Sequence, residues 1–243
     1  MMAFIYGSAN FLLAFAWRDI LKYLGVSADS TAAIKIYGVS QLAKYVPGNI
    51  FQLAGRQALG MAEGWSAVGL VKSSIYELVL IAMAGGLFGT LIIPLFEVSF
   101  SQLFSAIFLI FLACAISVGL IRFFNRHLMV AFLWQLLFLL LSGGVFVILL
   151  YTISGRTELV YSHLSVVCGA FIVAWLIGLV TPGAPAGVGV REVVLLFLLK
   201  GIANESDLLM AILFGRLVTV VGDFLFFLFT GTLLQNLLTD KKR

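Results

Sequence analysis

Charge is scarce in this sequence. Asp, Glu, Lys and Arg supply 11% of its 243 residues, where a soluble domain carries about 25%. Apolar residues supply 62% and the mean hydropathy is +1.14. A water-soluble globule is therefore excluded, and an all-α polytopic membrane protein is expected. Cysteine and histidine number two each. Cys114 and Cys168 lie within apolar runs without metal-ligand company and read as small buried residues. His127 and His163 stand near helix ends and read as interfacial. No metal site, no cofactor and no catalytic residue is expected. Basic residues are few and scattered at segment ends, so the net charge of +4 is not the footprint of a nucleic-acid surface. Alternating polar and apolar residues are absent, which excludes an outer-membrane barrel. Met1 to Trp17 has neither a basic start nor a small-residue cleavage site and reads as a retained span.

Proline is also short, at four residues, and its placement organises the chain. Pro47-Gly48 is followed by seven residues and then Arg56; Pro182-Gly183 is followed by seven residues and then Arg191. Each pair interrupts apolar sequence, because proline cannot continue a helix and glycine lets the backbone turn. A break with charges beside it is costly in lipid and survives where protein or a water-filled cavity surrounds it.

In order, the expected elements are a span at 2–24 closed by Arg18, Asp19 and Lys22, and a less apolar helix at 30–46 with Lys35, Gln41 and Lys44. A short element follows from Asn49 to about Gly60. Spans are expected at 67–93, 102–122, 128–151 and 208–235, with loops at 94–102 and 154–162. Residues 163–181 are apolar up to the second break, and a second short element runs from about Ala184 to Leu199. If each break is the tip of a re-entrant hairpin, residues 2–93 and 128–235 are both span, hairpin, span. One linking helix, 102–122, then inverts the second unit relative to the first. The expectation is a single transmembrane domain, residues 1–243, with two inverted repeats, each holding a re-entrant broken-helix hairpin; that is a transporter architecture. With a cytoplasmic C-terminus, Arg18, Lys22, Lys72, Arg122 and Arg126 fall on or near the cytoplasmic side and only Arg156 and Lys200 opposite, as the positive-inside rule requires.

The first residues of a helix expose unpaired N–H groups and the positive end of its dipole, which suit an anionic group. Two half-helices starting after Pro47-Gly48 and Pro182-Gly183 would aim two such ends at one place, with Arg56 and Arg191 two turns further along. Arginine forks suit phosphate oxygens, and Gly183, Gly187 and Gly189 would allow close approach of a headgroup. The remaining intramembrane charges, Glu77, Glu192, Arg216 and Asp223, should pair within the bundle: Arg216 with Glu192 or Glu77, and Asp223 with Arg191 or Arg216. Whether Glu77 and Asp223 only fix helix register or serve a ligand is open at this level. Gly85, Gly86, Gly89, Gly143 and Gly144 read as close-packing positions. Trp17, Trp65, Trp134 and Trp175 read as interface or packing residues.

Lys44-Tyr45-Val46-Pro47-Gly48-Asn49-Ile50-Phe51-Gln52-Leu53-Ala54-Gly55-Arg56 resembles the first signature of the lysylphosphatidylglycerol synthase transmembrane-region family. Pro182 to Glu192, ending Gly187-Val188-Gly189-Val190-Arg191-Glu192, resembles its second. Glu77 and Arg216 sit where that family places charges in the span after each signature. Pro185 and Ala186 stand where glycine is usual, and the chain is short for the family, with a helix before the first span expected to be missing. The resemblance implies translocation of a phospholipid or a polyprenyl-phosphate-linked sugar in a prokaryotic plasma membrane, without aminoacyl transfer. Three functions stay open: a flippase for an anionic amphipathic lipid, a membrane enzyme acting on lipid phosphate with Glu192 as its base, and a non-catalytic partner of a glycosyltransferase. Self-association is compatible with each.

Overall fold

Asp29, Ser66, Ser101 and Asn125 each cap the first turn of a helix in this chain. The structure, a computed structural model, describes residues 1–46, 51–97, 100–181 and 187–240, with side chains up to residue 232. It is all-helical, with no β-strand among the described residues. Helix α1 spans Met2–Tyr23. Asp29 starts α2 (Ser30–Gln41) by accepting from the backbone N–H groups of Thr31 and Ala32 at 3.0 and 3.1 Å. A 3₁₀ turn, Leu42–Tyr45, continues α2 toward the first break, and α3 (Phe51–Ala62) lies beyond it. Ser66 caps α4 (Ala67–Leu87), which tightens into 3₁₀ geometry from Phe88 to Leu95. Ser101 caps α5 (Gln102–Phe123), and Asn125 caps α6 (Arg126–Ile153). Caps of this type contribute about 1 kcal/mol each.

The expected loop at 154–162 contains a single helical turn, α7 (Glu158–Ser162). Beyond it run α8 (Leu164–Val180) and α9 (Val190–Leu198). Helix α9 starts later than the expected Ala184, because Gly187 and Gly189 adopt φ of +71° and +88°, outside the right-handed helical region. The last helix, α10 (Glu205–Asp240), has 36 residues; Asn204 begins it, its carbonyl accepting from Leu208 N–H.

Among the described residues, four helical stretches are long and apolar enough to cross a membrane: Ala67–Leu95, Gln102–Phe123, Arg126–Ile153 and Glu205–Thr232. By length and composition this is a helical membrane protein. Helix α1 equals α5 in length but is not among the four, since polar residues interrupt it and Arg18, Asp19 and Lys22 load its end. Helices α2 and α3 have 12 residues each and α9 has nine. At 1.5 Å per residue, none of the three covers the roughly 30 Å of a hydrocarbon core.

Helix α1 is the central element, packed against α2, α4, α6 and α10. Its inward row, Tyr6, Asn10, Leu13 and Trp17, recurs at helical spacing and is buried. Helix α5 sits at the periphery with most of its side chains exposed. Cys114, expected to be buried, is among the exposed ones, while Cys168 is buried, because α5 turns its apolar surface outward. Two close approaches fix α10. A Cβ on Gly7 would lie 2.8 Å from the carbonyl oxygen of Gly222, and one on Gly222 would lie 2.8 Å from that of Ala3. A Cβ on Gly38 of α2 would lie 2.1 Å from Thr230 Oγ1. Small residues let backbones meet in this way. Gly85 and Gly143 face Leu176 and Cys168 at close range, as expected of packing glycines, whereas Gly86 and Gly144 have nothing within 4 Å.

Gly222→Leu should therefore lower the thermal unfolding midpoint of the purified protein, with a loss of about 1–3 kcal/mol for overpacking. Gly86→Ala should leave that midpoint unchanged; intrinsic tryptophan fluorescence during heating measures both.

Candidate functional site

Buried polar residues on six helices converge on one cavity of about 100 Å³. A single water needs about 10–15 Å³ on this measure, so the space suits several waters or a headgroup, not a lipid tail. Lys44, Arg56, Arg191 and Arg216 line it, together with the carboxylates Glu77 and Asp223. Its walls come from both breaks: Tyr45, Gln52 and Arg56 flank the first, and Gly187 and Arg191 come after the second. Pro47, Gly48, Pro182 and Gly183 themselves lie outside the described residues.

The first charge cluster centres on Glu77 of α4. Arg56 of α3 is paired with its carboxylate, and Tyr37 Oη donates to Glu77 Oε1 at 3.0 Å. The Arg56 guanidinium, only 2% exposed, lies over the ring of Tyr37 at 3.9 Å and that of Trp17 at 5.1 Å. Trp17 is held in turn by its Nε1–H donating to Ser73 Oγ at 3.0 Å. Gln135 of α6 donates to the Glu77 backbone carbonyl at 3.2 Å. This arginine is therefore neutralised and enclosed by rings, which gives Trp17 a cation-facing role beyond packing.

The second cluster centres on Asp223 of α10. The expected partners were Arg191 or Arg216. Instead Lys44 Nζ stands 2.7 Å from Asp223 Oδ2, and Tyr45 Oη donates to the same oxygen. Asn10 Nδ2 donates to Oδ1 at 3.0 Å and Gln41 Nε2 at 3.5 Å. Proximity explains the exchange: the 3₁₀ turn after α2 packs on α10 and delivers Lys44 and Tyr45 together. The third pair fits expectation, with Arg216 Nε donating to Glu192 Oε1 at 2.8 Å.

Arg191 stands apart. It is the second residue of α9, so it does not share the helical position of Arg56, which is the sixth residue of α3; the sequence offset matches and the helical offset does not. Its guanidinium lies 4.2 Å from the centroid of Phe171, which is stacked on Phe146 at 4.6 Å. It is 7% exposed, and no carboxylate pairs with it among the described residues. Gly187 lines the cavity and also packs its backbone against Gly178: a Cβ there would lie 3.0 Å from Gly178 Cα. Gly189, with nothing within 4 Å of a Cβ, keeps its positive φ as the residue before α9.

Asn10, Tyr37, Gln41, Lys44 and Tyr45 belong to the site, although the sequence does not single them out as site residues. The available signal was an amide in each of two helices, Asn10 and Gln41, whose burial needs a partner. Compared with protein-family models, with curated proteins and with solved structures, the chain finds no match; the family resemblance rests on the two motifs as they stand.

Removing one member of the Arg56–Glu77 pair leaves a buried charge uncompensated. Arg56→Met and Glu77→Gln should each destabilise the protein by about 3–5 kcal/mol, and the double substitution should cost less than the sum. A double-mutant cycle on chemical unfolding in detergent reads the coupling, and strict additivity would contradict it.

Proposed function

We propose that this chain is a membrane transporter of the flippase type, moving an amphipathic lipid whose anionic headgroup enters the cavity while its tail stays in the bilayer. Arg191 carries the reading. It is a buried cation, facing a cavity, seated on an aromatic ring and not matched by a carboxylate among the described residues. Leaving such a group uncompensated costs several kcal/mol, and a phosphate-bearing headgroup that accepts a bidentate arginine fork removes that cost.

Other features support the reading. The cavity has headgroup dimensions, and cationic side chains outnumber carboxylates along it. Short helices pack in pairs and contribute to its lining, α2 with α3 and α8 with α9. In this proposal each pair is a re-entrant hairpin, the units 2–93 and 128–235 are inverted repeats, and rocking of one against the other exposes the cavity to alternate sides. The protein would reside in a prokaryotic plasma membrane with a cytoplasmic C-terminus, and its substrate would be a phospholipid or a polyprenyl-phosphate-linked sugar.

Proteoliposomes should translocate fluorescent phosphatidylglycerol or fluorescent polyprenyl phosphate between leaflets faster than protein-free vesicles. Arg191→Ala should slow the transfer at least about tenfold, the equivalent of 1.4 kcal/mol. Arg191→Lys should recover only part of it, because an ammonium lacks the planar fork. Transfer of both probes at the protein-free rate overturns the proposal.

A further inference from the structure

Asp223 is the most deeply placed carboxylate of the cavity, at 0% exposure. Of the four side chains that bond to it among the described residues, Asn10, Gln41, Tyr45 and Lys44, only Lys44 is a cation. Glu77, by contrast, is held by an arginine that two rings enclose. Lys44 is not enclosed in that way: its side chain is 19% exposed, it lies 5.5 Å from the centroid of Tyr45, and it stands on the 3₁₀ turn directly before the first break. It also lines the cavity, so an anion entering there meets Lys44 and competes with Asp223 for it.

The side chains around Asp223 set its response to that competition. Helix α1 presents Tyr6 and Asn10, and the 3₁₀ turn presents Lys44 and Tyr45. Helix α9 presents Arg191 to the cavity, and α10 itself presents Arg216, which Glu192 of α9 engages. Arg56 and Glu77 face the same cavity and are paired with each other. Helix α2 contributes Gln41, and no ionisable side chain of α2 or α6 bonds to Asp223 among the described residues. Once Lys44 turns to an anion, Asp223 keeps, among the described residues, the three neutral donors Asn10, Gln41 and Tyr45. A carboxylate in that state is costly, and protonation removes the cost. The amides of Asn10 and Gln41 each carry both a carbonyl and an NH₂ group, so they can serve the carboxylate as donors and the carboxylic acid as acceptors.

We propose that Asp223 is a proton-binding site that couples entry of the anionic headgroup to uptake of one proton. The proposal rests on the transport reading of the same cavity. The proton comes from water on the side to which the cavity is open and binds a carboxylate oxygen of Asp223 as Lys44 leaves. When the anion departs on the other side, Lys44 returns and the proton is released there. Anion and proton move in the same direction.

The test uses proteoliposomes of the intact chain in phosphatidylcholine, with trace fluorescent phosphatidylglycerol or polyprenyl phosphate as probe, pyranine trapped inside and an imposed pH gradient. One proton per anion predicts that a one-unit gradient enriches the probe about tenfold in the leaflet facing the alkaline side, with pyranine reporting proton flow in step. An even distribution reached by active protein overturns the coupling and leaves the transport reading standing. A response to a sodium gradient instead of the pH gradient also overturns it. Absence of any transfer removes both. An equilibrium measurement decides independently of turnover: on addition of short-chain phosphatidylglycerol to detergent-solubilised protein, infrared difference spectra should gain the carbonyl stretch of a protonated carboxylic acid. That band should be missing in Asp223→Asn. Its absence from the unsubstituted protein overturns the proposal even if the variant does not fold.

Discussion

A charge placed at the centre of a membrane span costs about 2.5–3.5 kcal/mol on insertion scales, and this chain concentrates several such charges in one region. The arrangement of its helices answers that cost. Glu77 draws α3 to α4 through Arg56, and the rings of Tyr37 and Trp17 bring α2 and α1 to the same guanidinium. Asp223 ties α10 to α1, to α2 and to the 3₁₀ turn before the first break. Glu192 and Arg216 join α9 to α10. Apolar packing alone gives little preference among helices in lipid, whose tails are as apolar as leucine; the polar residues supply the directional contacts that select neighbours.

Within that network the cations differ in how firmly they are held. Arg56 is enclosed and paired, which suits a fixed strut of the bundle. Lys44 is paired but reaches the cavity, and Arg191 rests on Phe171 without a carboxylate among the described residues. The gradation runs from a paired, ring-enclosed arginine on the α3–α4 side to an arginine that rests on an aromatic ring on the α9 side. The proposed transport draws on such a gradation, since a ligand held as tightly as Glu77 holds Arg56 would not leave. The proposed functions draw on this contrast more than on the number of charges present.

Much of the helical order was legible because hydrophobic runs, polar caps and the two Pro-Gly pairs mark it. The limits of α1, α5 and α6 track the runs within one or two residues. Two departures have physical causes. Helix α7 is one turn, too short for periodicity to register, and α9 begins after glycines with positive φ, a conformation that the motif permits but does not announce. For the cavity, Arg56, Glu77, Arg191, Arg216 and Asp223 were readable as residues to gather inside the bundle, because charge inside an apolar run demands a partner. The partners were less so. Tyr45 reaches Asp223 across 178 positions of chain, and no spacing rule reports a contact that depends on how two helices cross. Among the described residues, Arg216 pairs with Glu192, one of the two partners expected for it.

Helix α1 carries Asn10 and Trp17 on one face, seven residues apart, which is about 10.5 Å along a helix axis. Asn10 touches the Asp223 cluster and Trp17 covers Arg56 of the Glu77 cluster. A single stiff rod thus acts as a ruler between the two acidic centres. An inserted residue between Asn10 and Trp17 would turn one end by about 100° relative to the other, and no adjustment of side-chain rotamers could keep both centres engaged. Any rotation of α1 about its own axis would disturb the two together, so this rod makes them mechanically one unit.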